Sequence, residues 1–321
     1  MSTPKVFVLV PSYNHAPFVE RALRSIFNQT LPPAKLLVID DGSKDDSVKI
    51  IEETLKDCPF PAELIARENR GLCRTLNEGF ARSADCEFFA YLGSDDVWLP
   101  TFLERRRAQL RAEPQAPMAY GNAFMIDEAD RVTETTADWA AYKFGDDRTM
   151  LLNGFAPVSS TVFYRRAWLE TVRWNEDSRL EDYELYLKLS TVGEFVFDPE
   201  VHAAWRRHGS NTSGDVTLML GEVLDALRRN REILRIDAAQ MKRIEGNINL
   251  RHAEMFVRRG AKKTAWRMLT KNWRAAANRR LALRIFSSLL LPQPLLKFRR
   301  ELRRRRADER FGTLEDSTAR R

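Results

Sequence analysis

The chain has 321 residues, 44% of them hydrophobic, with 52 Lys/Arg against 45 Asp/Glu. That is enough for one large α/β domain plus a smaller appendage around a sizeable core. The formal charge of +7 is concentrated: residues 297–306 hold seven basic side chains and Glu301, a net +6, leaving about +1 for the other 311 residues. A nearly neutral body excludes broad nucleic-acid binding. The three cysteines, Cys58, Cys73 and Cys86, form no C-x-x-C pair, which excludes a disulfide framework or a zinc cluster and suits a reducing cytoplasm. The stretch Met1–Lys5 runs into an apolar segment too short for a signal peptide, and no apolar run approaches the roughly 20 residues that span a bilayer. The expectation is a soluble or peripherally bound cytoplasmic protein.

In chain order, Val6–Val10 is a continuous apolar run of strand length, as for a central parallel strand covered on both faces. After a polar break at Ser12-Tyr13-Asn14-His15, apolar residues recur at helical spacing from Phe18 to Phe27. Leu36–Ile39 is a second strand ending in Asp40-Asp41-Gly42-Ser43, with Ser43 read as the N-cap of a helix running to Lys56. Leu64–Ala66 reads as a strand, Leu72–Ala81 as a helix and Phe88–Leu92 as a strand. Strand–helix alternation with short loops implies right-handed crossovers and a mostly parallel sheet. In such sheets ligands bind outside the carboxyl ends of the strands, where the polar clusters after Val10, Ile39 and Leu92 all fall.

Further on, Pro100–Glu113 reads as a helix, Met118–Met125 and Ser160–Tyr164 as strands, and Leu180–Val192 as a helix. Glu194–Asp198 and Ala203–Arg207 read as short extended segments. Beyond about Ser213 only amphipathic helices are legible (218–236, 241–259, 264–277 and 281–291). We therefore expect an α/β domain over residues 1–213 and a helical region with a basic tail over 214–321.

Four polar clusters carry possible chemistry. Ser94-Asp95-Asp96 places two adjacent, mutually repelling carboxylates at a strand end; a divalent cation relieves that repulsion, and a plain turn before the next helix is the alternative. Asp40-Asp41-Gly42-Ser43 reads either as a tight turn with positive φ at Gly42 or as a carboxylate aimed at a base or ribose. Glu181-Asp182 opens a helix, where the dipole favours acidic residues, and equally offers a general base. Residues 206–213 contain His208, a possible metal ligand, beside arginines suited to phosphate, in what is otherwise an ordinary loop.

In order along the chain, these segments resemble glycosyltransferase family 2. The matching stretches are Val-Pro-Ser-Tyr-Asn (10–14), Val-Ile-Asp-Asp-Gly-Ser (38–43), Glu-Asn-Arg-Gly-Leu (68–72) with Asn77 and Gly79, and Leu-Gly-Ser-Asp-Asp-Val-Trp-Leu-Pro (92–100). Pro-Val-Ser-Ser-Thr-Val-Phe (157–163), Leu-Glu-Asp-Tyr-Glu-Leu (180–185) and Arg-Arg-His-Gly-Ser-Asn-Thr-Ser (206–213) follow. The resemblance covers roughly residues 4–213 and implies a GT-A fold and an inverting transfer of a sugar from a nucleoside-diphosphate donor, most commonly a UDP-sugar, to an acceptor hydroxyl. It places Pro11 and Tyr13 by the nucleotide, Asp40 on the base, Arg70 beside the donor and Asp95 at the ribose/diphosphate. Asp95, Asp96 and His208 correspond to the Mg²⁺ or Mn²⁺ site and Asp182 to the catalytic base. Where many relatives carry an Asp this chain has Gly93, which leaves open which carboxylate binds metal. Arg173-Trp174-Asn175-Glu176 also departs from the family's commoner segment on the acceptor side.

The apolar residues between Leu281 and Phe298 lead into the arginine cluster, a pattern that fits either an anionic membrane surface, through residues 281–306, or a packed appendage with a solvated basic end. A membrane contact suits a lipid-linked acceptor and a saccharide acceptor does not require one; surface polysaccharide or glycolipid assembly is the implied setting. The competing functions are a non-catalytic nucleotide-sugar-binding scaffold and a polyprenyl-phosphate sugar transferase.

Overall fold

The computed structural model describes residues 5–139, 146–209, 211, 214–274 and 279–315. The first third alternates β1 (Val6–Ser12), α1 (Val19–Phe27), β2 (Lys35–Asp40), α2 (Ser47–Leu55), β3 (Ala62–Ala66), α3 (Leu72–Ala81) and β4 (Phe88–Tyr91). These four strands lie parallel in the order β3-β2-β1-β4. The apolar run of β1 explains its central place: Phe7 and Leu9 enter the layer under α3, while Val6, Val8 and Val10 enter the layer under α1.

The α3 helix packs so closely on β1 that a Cβ at Gly79 would sit 2.4 Å from Leu9 Cδ2. The expected Ser43 cap is replaced by Asp46, which leads α2 without a side-chain cap bond; Ser43 is drawn instead to Asp40.

Next come β5 (Val97–Trp98), α4 (Phe102–Ala112), β6 (Met118–Ile126), β7 (Val132–Thr135), α5 (Asp147–Leu152), β8 (Phe163–Arg165), α6 (Arg166–Thr171), α7 (Glu181–Leu189) and β9 (Val196–Arg206). They extend the sheet as β4-β8-β6-β9-β5, with β7 paired to β6, and make this half mixed in direction. The two extended segments expected around residues 194–207 are one strand, whose register against β6 shifts at Gly121/Asn122, opposite Pro199.

The helical region consists of α8 (Val216–Arg229), α9 (Ala238–Arg258), α10 (Lys262–Asn272), α11 (Arg279–Leu290) and α12 (Gln293–Phe311). Val223, Leu224 and Leu227 of α8 join the apolar layer under α3, and Arg229 clasps Glu184 of α7 at 2.6 Å. Helices α9, α10 and α11 enclose their own cluster around Leu250, Val257, Leu269 and Ile285. The basic stretch is helical within α12, and the chain then returns to the sheet: Leu314 is buried beside Phe124 and Val132, and its N–H donates to Asp130 O at 2.9 Å. Of the expected boundary, Ser210, Thr212 and Ser213 lie outside the described residues.

Candidate active site

The carboxyl ends of β1, β2 and β4 lie side by side and their loops are stitched together. Asp40, at the end of β2, is buried, and both its oxygens are used: Oδ1 accepts from Ser43 N at 2.8 Å and Oδ2 from the Ser43 hydroxyl at 2.6 Å. Ser43 Oγ in turn accepts from Asn14 N at 2.8 Å, and Asn14 Oδ1 accepts from Lys44 N at 2.7 Å, so the β1 and β2 loops form one unit. Gly42 has φ +83° and a Cβ there would meet Asn69 N at 2.8 Å, so the turn requires glycine. Asp41 binds the third loop, accepting from Arg70 N at 2.9 Å, from Gly71 N at 2.8 Å and from the Arg67 guanidinium. Pro11 is buried within β1, Tyr13 projects with 46% exposure, and the Arg70 side chain is largely exposed near Glu78.

The loop after β4 separates its two aspartates. Asp95 faces a pair of imidazoles: His208 Nε2 lies 2.9 Å from Oδ2 and His15 Nδ1 3.7 Å from Oδ1. Asn211 Nδ2 adds a bond to Asp95 Oδ2 at 3.3 Å, and Ser94 Oγ holds His15 Nδ1 at 2.8 Å. The His15 and His208 rings stand nearly perpendicular at 5.3 Å, with Phe18 packed on His208. Burial lowers the pKa of His15 against the pull of Asp95, favouring the neutral, lone-pair-bearing ring. Burial opposes the charge on Asp95, but the hydrogen bond to His208 and the nearby imidazoles hold its carboxyl below the usual range.

Asp96 turns the other way. Its Oδ1 accepts from the main-chain N–H of Arg206 at 2.9 Å, and burial followed by the charge on Asp95 pushes its carboxyl well above the ordinary range. Arg206 is not available for phosphate: its guanidinium donates to Asp95 O and Asp127 O and pairs with Asp130. Arg207 is exposed and paired with Glu134.

The ligand atoms of His15, Asp95 and His208 all lie within 4.8 Å of one another. Two imidazoles and one carboxylate suit a divalent transition metal such as Mn²⁺ better than Mg²⁺, which prefers all-oxygen shells. Asp198, Glu200 and His202 form a second such group, but Asp198 is already neutralised by Arg106 at 2.9 Å and Arg105 at 3.1 Å. Of the residues expected at the metal, the fold therefore brings Asp95 and His208 together, while Asp96 is buried and bonded to the main chain at Arg206. It also adds His15, whose one signal in the sequence was its place in the polar break after β1.

Glu181 and Asp182 form the first turn of α7, above the end of β4. The Tyr91 hydroxyl lies 3.4 Å from Glu181 Oε1, and Asp182 Oδ1 is buried with no hydrogen-bond partner. Burial chiefly, with a contribution from Asp95, raises the pKa of Glu181; burial and then Glu181 raise Asp182 well above the carboxylate range. The departing segment at 173–176 is the floor beneath this acidic pair: Trp174 is buried against Phe89, Tyr91 and Tyr164, and Asn175 donates to Glu184 at 3.0 Å.

Comparison with known proteins agrees with this architecture. The chain is 29% identical over 211 residues to a chondroitin synthase of Escherichia coli, covering 65% of this chain but 30% of that protein. It therefore spans under a third of that relative's length. The fold resembles that of the mannosyltransferase PcManGT from Pyrobaculum calidifontis, a structure in complex with GDP-Man and Mn²⁺. The TM-score is 0.61 at 18% identity, over 94% of this chain and 84% of that one. It also resembles Staphylococcus aureus TarS residues 1–349, in complex with UDP-GlcNAc, with TM-score 0.57 at 16% identity over 96% of this chain and 92% of that one. Both neighbours confirm the GT-A class of fold, helical region included. The family model for glycosyl transferase family 2 matches residues 7–173, more than half of the chain, and the chain belongs to that family.

Proposed function

We propose that this protein transfers a sugar, with inversion, from a nucleoside-diphosphate donor to an acceptor hydroxyl, in the assembly of a polysaccharide or glycolipid on the cytoplasmic side of a membrane. The observation that carries the reading is a pair of acidic sites near the end of β4: Asp95 with two imidazoles in the loop that follows it, and Asp182, beside the Glu181 that Tyr91 reaches, with an unpartnered, buried oxygen on α7. Displacement at an anomeric carbon needs a charge-stabilising group at the leaving diphosphate and a base on the opposite face.

In this scheme Asp95, His208 and His15 hold a divalent cation, which when bound neutralises charge on the diphosphate. Asp182 Oδ1 accepts the proton of the acceptor hydroxyl as the hydroxyl oxygen forms its bond to the anomeric carbon and the bond from that carbon to the diphosphate breaks. Its raised pKa makes Asp182 a stronger base than an ordinary aspartate, and Glu181 keeps it so. The β1, β2 and 67–71 loops, locked by Asp40, Asp41 and Ser43, form the donor's bed, with Tyr13 and Arg70 free to contact it. Asp40 shapes the loop through Ser43, and each of its oxygens, with one accepted bond from Ser43, has a second lone pair for the nucleotide base. A UDP-sugar is the donor to test first, given the relative that synthesises chondroitin and the neighbour solved with UDP-GlcNAc.

The test is release of nucleoside diphosphate from a panel of UDP- and GDP-sugars, with Mn²⁺ or chelator and with mono- and oligosaccharide acceptors. Metal-dependent turnover of one donor is expected, abolished in Asp95→Ala together with donor affinity. Absence of binding to every donor, by calorimetry, would overturn the proposal.

A further inference from the structure

The last three helices carry apolar side chains on both faces, and only one face is covered. In α11, Leu281 and Ile285 are buried against α9, whereas Leu283, Phe286 and Leu290 are exposed, Leu283 by 69% and Leu290 by 70%. At about 100° per residue these two sets lie on opposite sides of the helix. The same i, i+3, i+7 spacing recurs in α12, where Leu295, Phe298 and Leu302 are exposed while Leu296 packs inward. Trp266 on α10 and Trp273, the residue just after its end, are both about half exposed, and Trp266 meets Phe286 of α11 at 6.2 Å between ring centroids. A water-facing helix surface ordinarily carries polar side chains. The outer apolar stripes of α10 and α11 meet at Trp266 and Phe286, and α12 carries a third; contiguous exposed apolar surface marks an interaction site.

The charge around the patch says what covers it. Residues 262–311 contain 16 Lys/Arg and three Asp/Glu, a net +13, so against the whole-chain +7 the remainder stands at −6. A second copy docking through this face would set +13 against +13, which repels. A nucleic-acid backbone would use the arginines and leave the leucines and phenylalanines in water. A bilayer of anionic phospholipid uses both at once: apolar stripes enter the acyl boundary, tryptophans sit at headgroup level and arginines meet the phosphates.

We infer that the outer face of α10, α11 and α12 is a peripheral docking surface for an anionic phospholipid bilayer. The docking is independent of which sugar is transferred and of whether transfer occurs. It fixes one side of the molecule to the surface at which a lipid-linked acceptor would be presented.

Truncation is not a clean test, because the residues that follow α12 return to the sheet at Phe311 and Leu314. The experiment is co-sedimentation of the full chain with vesicles of phosphatidylcholine alone or with about one third phosphatidylglycerol. The variants are Leu283→Asp/Leu290→Asp on α11 and, separately, Phe298→Asp on α12, each checked for fold by circular dichroism. Expected is binding to the anionic vesicles, weakened on the order of tenfold or more on neutral vesicles, in high salt and in each apolar variant. Donor turnover in vesicle-free solution should be the same in the variants as in wild type, which separates this result from the fate of the transfer reading. Equal binding to neutral vesicles, undiminished binding by the apolar variants, or a dimer that those variants dissociate in the absence of lipid binding would each overturn the inference.

Discussion

The main-chain N–H of Arg206 donates to Asp96 Oδ1 at 2.9 Å, joining positions 110 residues apart in the chain. The bond gives adjacent carboxylates opposite employments: Asp96 holds the end of β9 in place, and Asp95 faces the imidazoles. Asp95→Ala and His208→Ala should therefore weaken Mn²⁺ binding by roughly 10–100-fold. Asp96→Asn keeps an acceptor for Arg206 and removes a repelling neighbour, so it should leave Mn²⁺ affinity within about threefold. Calorimetric titration with Mn²⁺ reads both, and an equal loss in Asp96→Asn would count against the division.

His15 is the member of the cluster that sequence patterns overlook. His15→Ala should lower Mn²⁺ affinity by about tenfold while donor affinity in chelator stays put. Thermal melting with and without Mn²⁺ offers a second readout: the metal-induced rise in Tm seen for wild type should shrink in this variant.

In the proposed scheme Asp182 acts ionised, and its pKa lies above the ordinary carboxylate range, so the rate of transfer should fall on the acid side. Its ionisable neighbours are Glu181, Cys73 and the hydroxyls of Tyr91, Tyr164 and Tyr186. Below that pKa kcat should drop about tenfold per pH unit. Glu181→Gln removes one of the charges that raise Asp182, so the acid limb should move to lower pH. A limb that stays in place in a pH profile at saturating donor would show that another group sets it.

Glu184 ties α7 to the helical region. Although burial works against its charge, the Arg229 bonds, with Asn175 and Lys188, bring its pKa down to about 2. A depressed carboxylate pKa contributes stability above the unfolded value of 4.5, lost as pH falls toward 2. Arg229→Met should cost about 1 kcal/mol at pH 7, discounted for the exposure of the arginine, and less at pH 3. Urea unfolding at the two pH values measures the difference.

Gly79→Ala should destabilise by about 1–3 kcal/mol, since the added methyl presses on Leu9 in the centre of the sheet. A Leu9→Val change in the same chain should recover part of the loss in thermal melting.

How much of this is legible from the sequence depends on how locally each feature is encoded. β1 and α3 are readable because continuous burial and a 3.6-residue period are local signals, and α3 spans Leu72–Ala81 as the spacing predicts. β5 has two residues, and α5 and α6 six each, too short for any period to register. β7, Val-Thr-Glu-Thr, owes its strand to pairing with β6 rather than to an apolar pattern. Among the candidate site residues, Asp95, Asp182 and His208 follow from the family's motif order, whereas the burial of Asp96 against Arg206, the structural burial of Arg206 itself and the approach of His15 depend on contacts between loops far apart in sequence. Ser43 shows the same limit: its spacing fits a helix cap, and a tertiary contact with Asp40 and Asn14 claims it instead.

Asp130, in the left-handed turn between β6 and β7 with φ +59°, is where three distant parts of the chain meet. Arg21 of α1 pairs with it at 3.2 Å, Arg206 holds its other oxygen, and Leu314 bonds to its carbonyl at 2.9 Å. During synthesis on a ribosome the sheet and the loops at its carboxyl edge emerge first, yet the strut behind Asp95 and Asp96 is completed only when residue 314 appears.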